Sequence, residues 1–168
     1  MSEALTNPTF LSPNSFRFSV TKLPDVEFYY QEVSLPSVEL GTPEQTSPLI
    51  DIPLIGEKLI FGTLPVKFII DQYLINYKSI FNWLVSLAPD IDKNQFGTFD
   101  PKPVGSNKEY SDGILQILDS QNIPATTVQF IDLFPVSISG FSVESTNQGV
   151  EYLVSTVIFK YSYFKFIS

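Results

Sequence analysis

The sequence predicts a mainly β fold, a small antiparallel barrel or sandwich with one outer helix. Two observations carry this. Apolar residues recur at every second position in several stretches, as in Phe16, Phe18 and Val20 or Leu64, Val66, Phe68 and Ile70, which is the period of a half-buried strand. Only one stretch, around Trp83, carries apolar residues at helical spacing. Hydrophobic residues make up 43% and aromatics 14% of the 168 residues, which excludes a disordered chain despite 13 prolines. That length suits one domain.

Taken in order, residues 1–14 hold prolines, asparagines and hydroxyls and read as an arm ahead of a single domain spanning 15–168. Phe16 to Thr21 alternate as a first strand. Pro24-Asp25 marks a turn, and Val26, Phe28 and Tyr30 alternate with Glu27, Tyr29 and Gln31 as a second, so the two strands read as a hairpin. Residues 36–58 carry Pro36, Pro43, Pro48 and Pro53 with Gly41 and Gly56, so no long element runs through them. Ile50-Asp51-Ile52 and Lys58 to Phe61 still suit short strands. The aliphatics of this segment argue that it packs against something. Leu64 to Ile70 form the next strand.

One helix is expected over 76–88, with Asn76 as N-cap, Ile80, Trp83, Leu84 and Leu87 on its core face, and Pro89 as its stop. Residues 89–112 read as a polar loop. Strands follow at Ile114–Leu118, Thr126–Phe134 and Ile138–Val143, with a break at Pro135. The stretch Val150–Phe166 reads as one long strand, apolar on both faces. Such a strand is either central in a sandwich or continues into a neighbouring subunit, and a free edge of this composition needs a cover.

The composition excludes much chemistry. No His and no Cys are present, which removes Ser-His and Cys-His nucleophiles, zinc sites built on those residues, haem and iron–sulfur ligation, and disulfides. With 10 Lys+Arg against 18 Asp+Glu the charge is −8, against duplex DNA affinity. Asp90-Ile91-Asp92-Lys93-Asn94 opens like a calcium loop, but Gln95 and Pro101 replace the required Gly and Glu. There is no glycine-rich phosphate loop. The acids are scattered along the chain, so no positioned acid–base pair is expected, and no enzyme and no cofactor are predicted. The N-terminus lacks a signal peptide's pattern and no apolar run is long enough to span a membrane. The expectation is a soluble protein made in a cytoplasm, not inserted in a membrane. A ligand-binding β-sandwich, such as a carbohydrate-binding module, is the rival class.

The order of elements carries a resemblance. Ile52-Pro53, Gly56-Glu57-Lys58-Leu59, Phe61-Gly62-Thr63, a strand ending at Asp71 and Phe81-Asn82-Trp83 in the helix come first. Val128 to Val136 with its Leu133-Phe134-Pro135, a turn at Thr146–Gly149 and the strand Val154–Tyr161 follow. Together they resemble the tail tube protein of T4-like contractile-tailed bacteriophages over roughly residues 15–166. The resemblance implies a structural subunit that self-assembles into stacked hexameric rings. These would form the inner tube of a virion tail, assembled in the host cytoplasm, and conduct DNA without specific binding. It implies tail sheath, baseplate or tube initiator, and tail terminator proteins as partners. A tube initiator or terminator, or the tube of a bacterial injection device, is the alternative within that class. It also implies an extended hairpin over 41–58 that packs on neighbouring subunits. The interface residues it implies are Pro43, Glu44, Pro48, Ile50, Ile52, Leu54 and Ile55, with Val154, Val157, Ile158, Phe159 and Tyr161 of the last strand. Glu27 and Asp132 are candidate lumen-facing acids, repelling passing phosphates within the ~8 Å Debye length.

Overall fold

The computed structural model describes residues 15–46, 49–88, 109–119, 121–144 and 152–167. The predicted arm, the calcium-like loop, Pro48, Pro89 and the Thr146–Gly149 turn lie outside those residues.

Strand β1 (Phe16–Val20) keeps the predicted alternation, with Phe18 and Val20 buried and Arg17 exposed. The hairpin expected next does not form. Pro24 instead opens a 3-10 turn, Pro24–Tyr29, which its fixed φ suits, and Val26 drops into the core. Strand β2 is confined to Tyr30–Val33, and β1 pairs with a strand almost a hundred residues later. Short strands β3 (Val38–Leu40), β4 (Glu44–Gln45), β5 (Ile52–Pro53) and β6 (Leu59–Phe61) lead to β7 (Leu64–Ile69), which alternates buried and half-buried as expected.

Helix α1 runs Ile75–Ser86, against the expected 76–88. Its N-cap position is Leu74, in the left-handed region at φ 57°. Asn76 lies inside the first turn, is wholly buried, and has another task. Its Oδ1 accepts from the Tyr77 amide at 2.8 Å and the Asp71 amide at 3.1 Å, while its Nδ2 donates to the Ile69 carbonyl at 2.7 Å. One side chain thus ties the end of β7 to the helix start. Ile80 and Trp83 are buried and Leu87 packs against the core, as the helical spacing predicts; Leu84 is half-buried. The indole N–H donates to the Glu109 carbonyl at 3.1 Å, and the Lys22 ammonium sits 5.3 Å from the ring centre.

Strand β8 (Ser111–Leu118) begins inside the predicted loop. Strand β9 (Pro124–Ile138) runs straight through Pro135, and no strand covers 139–143. Pro135 is tolerated because β9 has one ladder partner there, β10, and a register irregularity falls at the same place. The predicted last strand is two, β10 (Val154–Lys160) and β11 (Tyr163–Ile167), with a break at Tyr161-Ser162.

That break explains the architecture. Strand β9 belongs to two sheets. Its first part pairs with β8 and β11, giving β1-β8-β9-β11; its end pairs with β10, giving β9-β10-β7-β2. The corner falls at Asp132, where Ile131 and Asp132 together face Asp112 in a bulge and Asp132 adopts φ 55°. The partner ribbon turns alongside it. Ser162 donates its amide to the Ile131 carbonyl at 2.9 Å and its hydroxyl to Asp132 Oδ2 at 3.1 Å. All pairings are antiparallel, and the two sheets form a sandwich, not a closed barrel. Phe18, Phe68, Phe130 and Phe159 fill it without exposure, alongside Leu64, Ile80 and Leu133. Ring pairs such as Phe18 with Phe130, 6.5 Å apart and edge to face, join the layers.

Candidate assembly surface

The proline-punctuated segment has a simple form once its pairings are joined. Tyr30 faces Phe68 and Val33 faces Val66; beyond the sheet Val38 faces Phe61, Leu40 faces Leu59, and Glu44 and Gln45 face Pro53 and Ile52. Backbone bonds from Ser34 to Pro65, Gly62 to Ser37, Gly41 to Lys58 and Leu54 to Pro43 fill the gaps. Strands β2-β3-β4 against β5-β6-β7 therefore make one two-stranded ribbon whose base lies in the sandwich. Prolines on edge positions cost no ladder bond. The two strands close tightly at Gly56, where a Cβ would fall on the Gly41 carbonyl, so only glycine fits.

The ribbon beyond the sheet carries exposed aliphatic side chains. Leu49 is 95% and Ile55 88% exposed, with Val38, Leu40, Ile50, Leu54, Leu59 and Ile60 about half exposed. Monomers rarely leave such a run in water without a use for it. Of the sequence-implied interface residues, Pro43, Glu44, Ile50, Leu54 and Ile55 lie exposed on this ribbon. Ile52 is in β5, its side chain outside the described set.

The second group, on β10, divides. Val157 and Phe159 are wholly buried in the chain's own core and offer nothing to another copy. Period-two alternation puts Val154, Ile158 and Lys160 on the other face, with Val154 37% exposed. Tyr161, at the corner, stacks edge to face on Phe61 and Phe130 with centroids 6.1 and 5.0 Å apart. Its hydroxyl is buried with no hydrogen-bond partner among the described residues, and desolvation pushes its pKa up from 10.0 to about 12. Free apolar surface in this region lies on β11, where Tyr163, Phe166 and Ile167 are exposed on a strand paired on one side by β9. Such an edge invites another strand.

Of the two candidate lumen acids, only Asp132 has a described side chain. Glu27 belongs to the 3-10 turn, its side chain outside the described set. Asp132 is exposed, yet its backbone makes the corner and its carboxylate holds Ser162.

A surface that the sequence did not announce lies at the far end of β7. A groove of about 510 Å³ is lined by Tyr29, Ile69 to Gln72, Leu74, Phe141, Val143, Tyr152 and Leu153. Its lining is mostly apolar, with Asp71 and Gln72 the polar members. Tyr77 packs edge to face on Phe141, 5.2 Å away, behind it. These residues come from four separate segments at strand ends, where no period marks them. Among the described residues no group of three Asp or Glu is placed to hold a metal ion, and no helix is long and apolar enough to cross a membrane.

This antiparallel sandwich, with its bent shared strand, helix and projecting ribbon, is similar in fold to chains from the tubes, caps and baseplates of contractile injection systems. The chain superimposes on a chain from the structure of the anti-feeding prophage tube-terminating cap with a TM-score of 0.65 and 10% identity, covering 99% of this chain and 96% of that one. A chain from the anti-feeding prophage baseplate matches with a TM-score of 0.62, 13% identity and 91% coverage of both. A chain from the sheath–tube complex of an extracellular contractile injection system, in the extended state, gives 0.60 at 12% identity, covering 98% and 94%. No family model matches the sequence, and no curated protein sequence matches it.

Proposed function

We propose that this chain is a non-enzymatic structural subunit of a contractile tail, building its inner tube as stacked hexameric rings around a conduit for DNA. The observation that carries the reading is the ribbon over residues 38–61. It exposes branched aliphatic side chains on a chain that already has a complete core, a surplus that burial against further copies removes. The aromatic edge of β11, paired by β9 alone among the described residues, supports lateral joining of neighbouring sheets, which hides an edge otherwise prone to uncontrolled pairing. Tail sheath, baseplate initiator and terminator proteins are its other partners in this reading, and the virion tail its location. DNA passes without a specific site, consistent with the net charge of −8.

Electron microscopy of the purified protein in negative stain, with sedimentation beside it, tests this. Rings and tubes are the expected result, with or without a baseplate nucleus. Monodisperse particles of about 19 kDa at every concentration, nucleus included, would sink it. The fold match to a tube-terminating cap favours one second reading, a ring that ends the tube or starts it. Assembly that stops at one ring would select it.

A further inference from the structure

We propose that the groove at the end of β7 is a binding site for a small organic cation, an ammonium or guanidinium carried on an apolar body. The site goes beyond the assembly reading and does not depend on it. The ribbon leaves β7 at its Leu64 end, whereas the groove lies at the opposite end, from Ile69 to Leu74. Size comes first. About 510 Å³ falls within the roughly 300–1,000 Å³ of small-molecule sites, which are lined mainly by apolar and aromatic side chains with a few polar groups. Ten described residues line the groove, against the roughly 20–30 that a stable protein interface takes from each side. That footprint fits a small molecule.

Charge selects the class of ligand. Among the described lining residues Asp71 alone is charged. Its Oδ2 accepts the Tyr73 amide at 3.4 Å, and its other oxygen has no hydrogen-bond partner among the described residues. Tyr29, Phe141 and Tyr152 bring three aromatic rings to the lining, and ring faces are negative and attract a cation. An anion meets repulsion from Asp71, in a chain of net charge −8. A neutral apolar ligand covers the carboxylate without giving it a partner. A cation on a hydrocarbon body suits both parts of the lining.

The site is also built in advance. Leu74 lines it with its backbone held left-handed at φ 57°. A non-glycine residue keeps that conformation where its surroundings impose it, and such residues gather at ligand clamps. The constraints are visible here. The Leu74 amide donates to the Asp71 carbonyl at 2.9 Å and the Ile70 amide to the Leu153 carbonyl at 2.8 Å, while the buried Asn76 ties Ile69 to Asp71. A preformed wall spares a ligand the cost of ordering it.

Calorimetric titration of the purified protein with phenylbutylammonium, phenylbutanol and phenylbutyrate tests this, since the three share one hydrocarbon body and differ in charge. The ammonium is expected to bind with a Kd below about 1 mM and about tenfold more tightly than the alcohol, with the carboxylate weakest. Asp71→Asn keeps an acceptor for the Tyr73 amide; it should bring the ammonium down to the affinity of the alcohol and leave the alcohol unchanged. Tyr152→Ala, at an exposed position, should weaken the ammonium by about fivefold. Ile55→Ala on the ribbon should change nothing, and circular dichroism confirms the fold of each variant. An ammonium that fails to bind in that range, a carboxylate that binds as tightly, or full ammonium affinity in Asp71→Asn overturns the proposal. A loss with Ile55→Ala equal to that with Tyr152→Ala would move binding to the ribbon and overturn it too. Protein that binds the ammonium as expected but never forms rings or tubes leaves the site standing and sinks only the tube reading.

Discussion

Asn76→Ala is the sharpest probe of how the groove wall is held. The wild-type amide makes three hydrogen bonds from a fully buried position, to the Ile69 carbonyl and the Asp71 and Tyr77 amides. Alanine removes all three and leaves those backbone groups without this partner. At about 1 kcal/mol net for each bond the loss is about 3 kcal/mol. For a chain of this size that lowers Tm by about 6–12 °C. Urea unfolding followed by Trp83 fluorescence measures it, and the midpoint should move with the slope m unchanged. Asn76→Asp keeps the acceptor but sets a buried carboxylate oxygen against the Ile69 carbonyl, so near neutral pH it should cost at least as much as alanine. A fall of less than 2 °C for Asn76→Ala, or an aspartate variant as stable as wild type, would refute the latch.

The Tyr161 hydroxyl gives a pH prediction. With its folded pKa raised from 10.0 to about 12, the neutral phenol favours the fold fully below pH 10, and this stability is lost as pH climbs from 10 to 12. Tyr161→Phe, which deletes a buried hydroxyl lacking a partner among the described residues, should match or exceed wild type at pH 7. It should gain on it by about 1 kcal/mol by pH 11, allowing for the ring's partial contact with water; melting curves that stay parallel across that range would contradict this. At the corner, Asp132→Val forces a β-branched side chain to φ 55° and removes the Ser162 bond, costing about 2 kcal/mol. Asp132→Gly should cost less than half as much. Calorimetry on the pair checks the order, and equal Tm values would refute the strained corner.

The sequence made some of this fold legible and hid the rest for identifiable reasons. Strand β7 and the core face of α1 each satisfy a local period on a surface buried on one side, so Val66, Phe68, Ile80 and Trp83 were readable. Partnerships were not. Nothing near Phe16 says that it pairs with Ile117, and Pro24 favours a turn and a 3-10 helix equally well by fixing φ. Pro135 reads as a stop unless one knows that β9 has lost a neighbour there. The stretch after Val150 looks like one two-faced strand because β10 and β11 each bury a different face in a different sheet. Its apolar character at Val157 and Phe159 reported the chain's own core, while the ribbon's aliphatics, with few internal partners, pointed outward. The groove was illegible because four distant segments build it.

The pairing of β1 with β8 also sets an order of events during synthesis. The strands of the ribbon are close neighbours along the chain and can zip together early, at small cost in loop closure. Phe16 to Val20 gains its ladder partner only once residues 113–117 have been made. The shared strand β9 receives its partner β11 only once residues 163–167 have been made. Each nascent chain therefore displays its sticky finger before it owns a finished body, so in a crowded cell the earliest molecules made depend on rapid synthesis of the strands over 154–167.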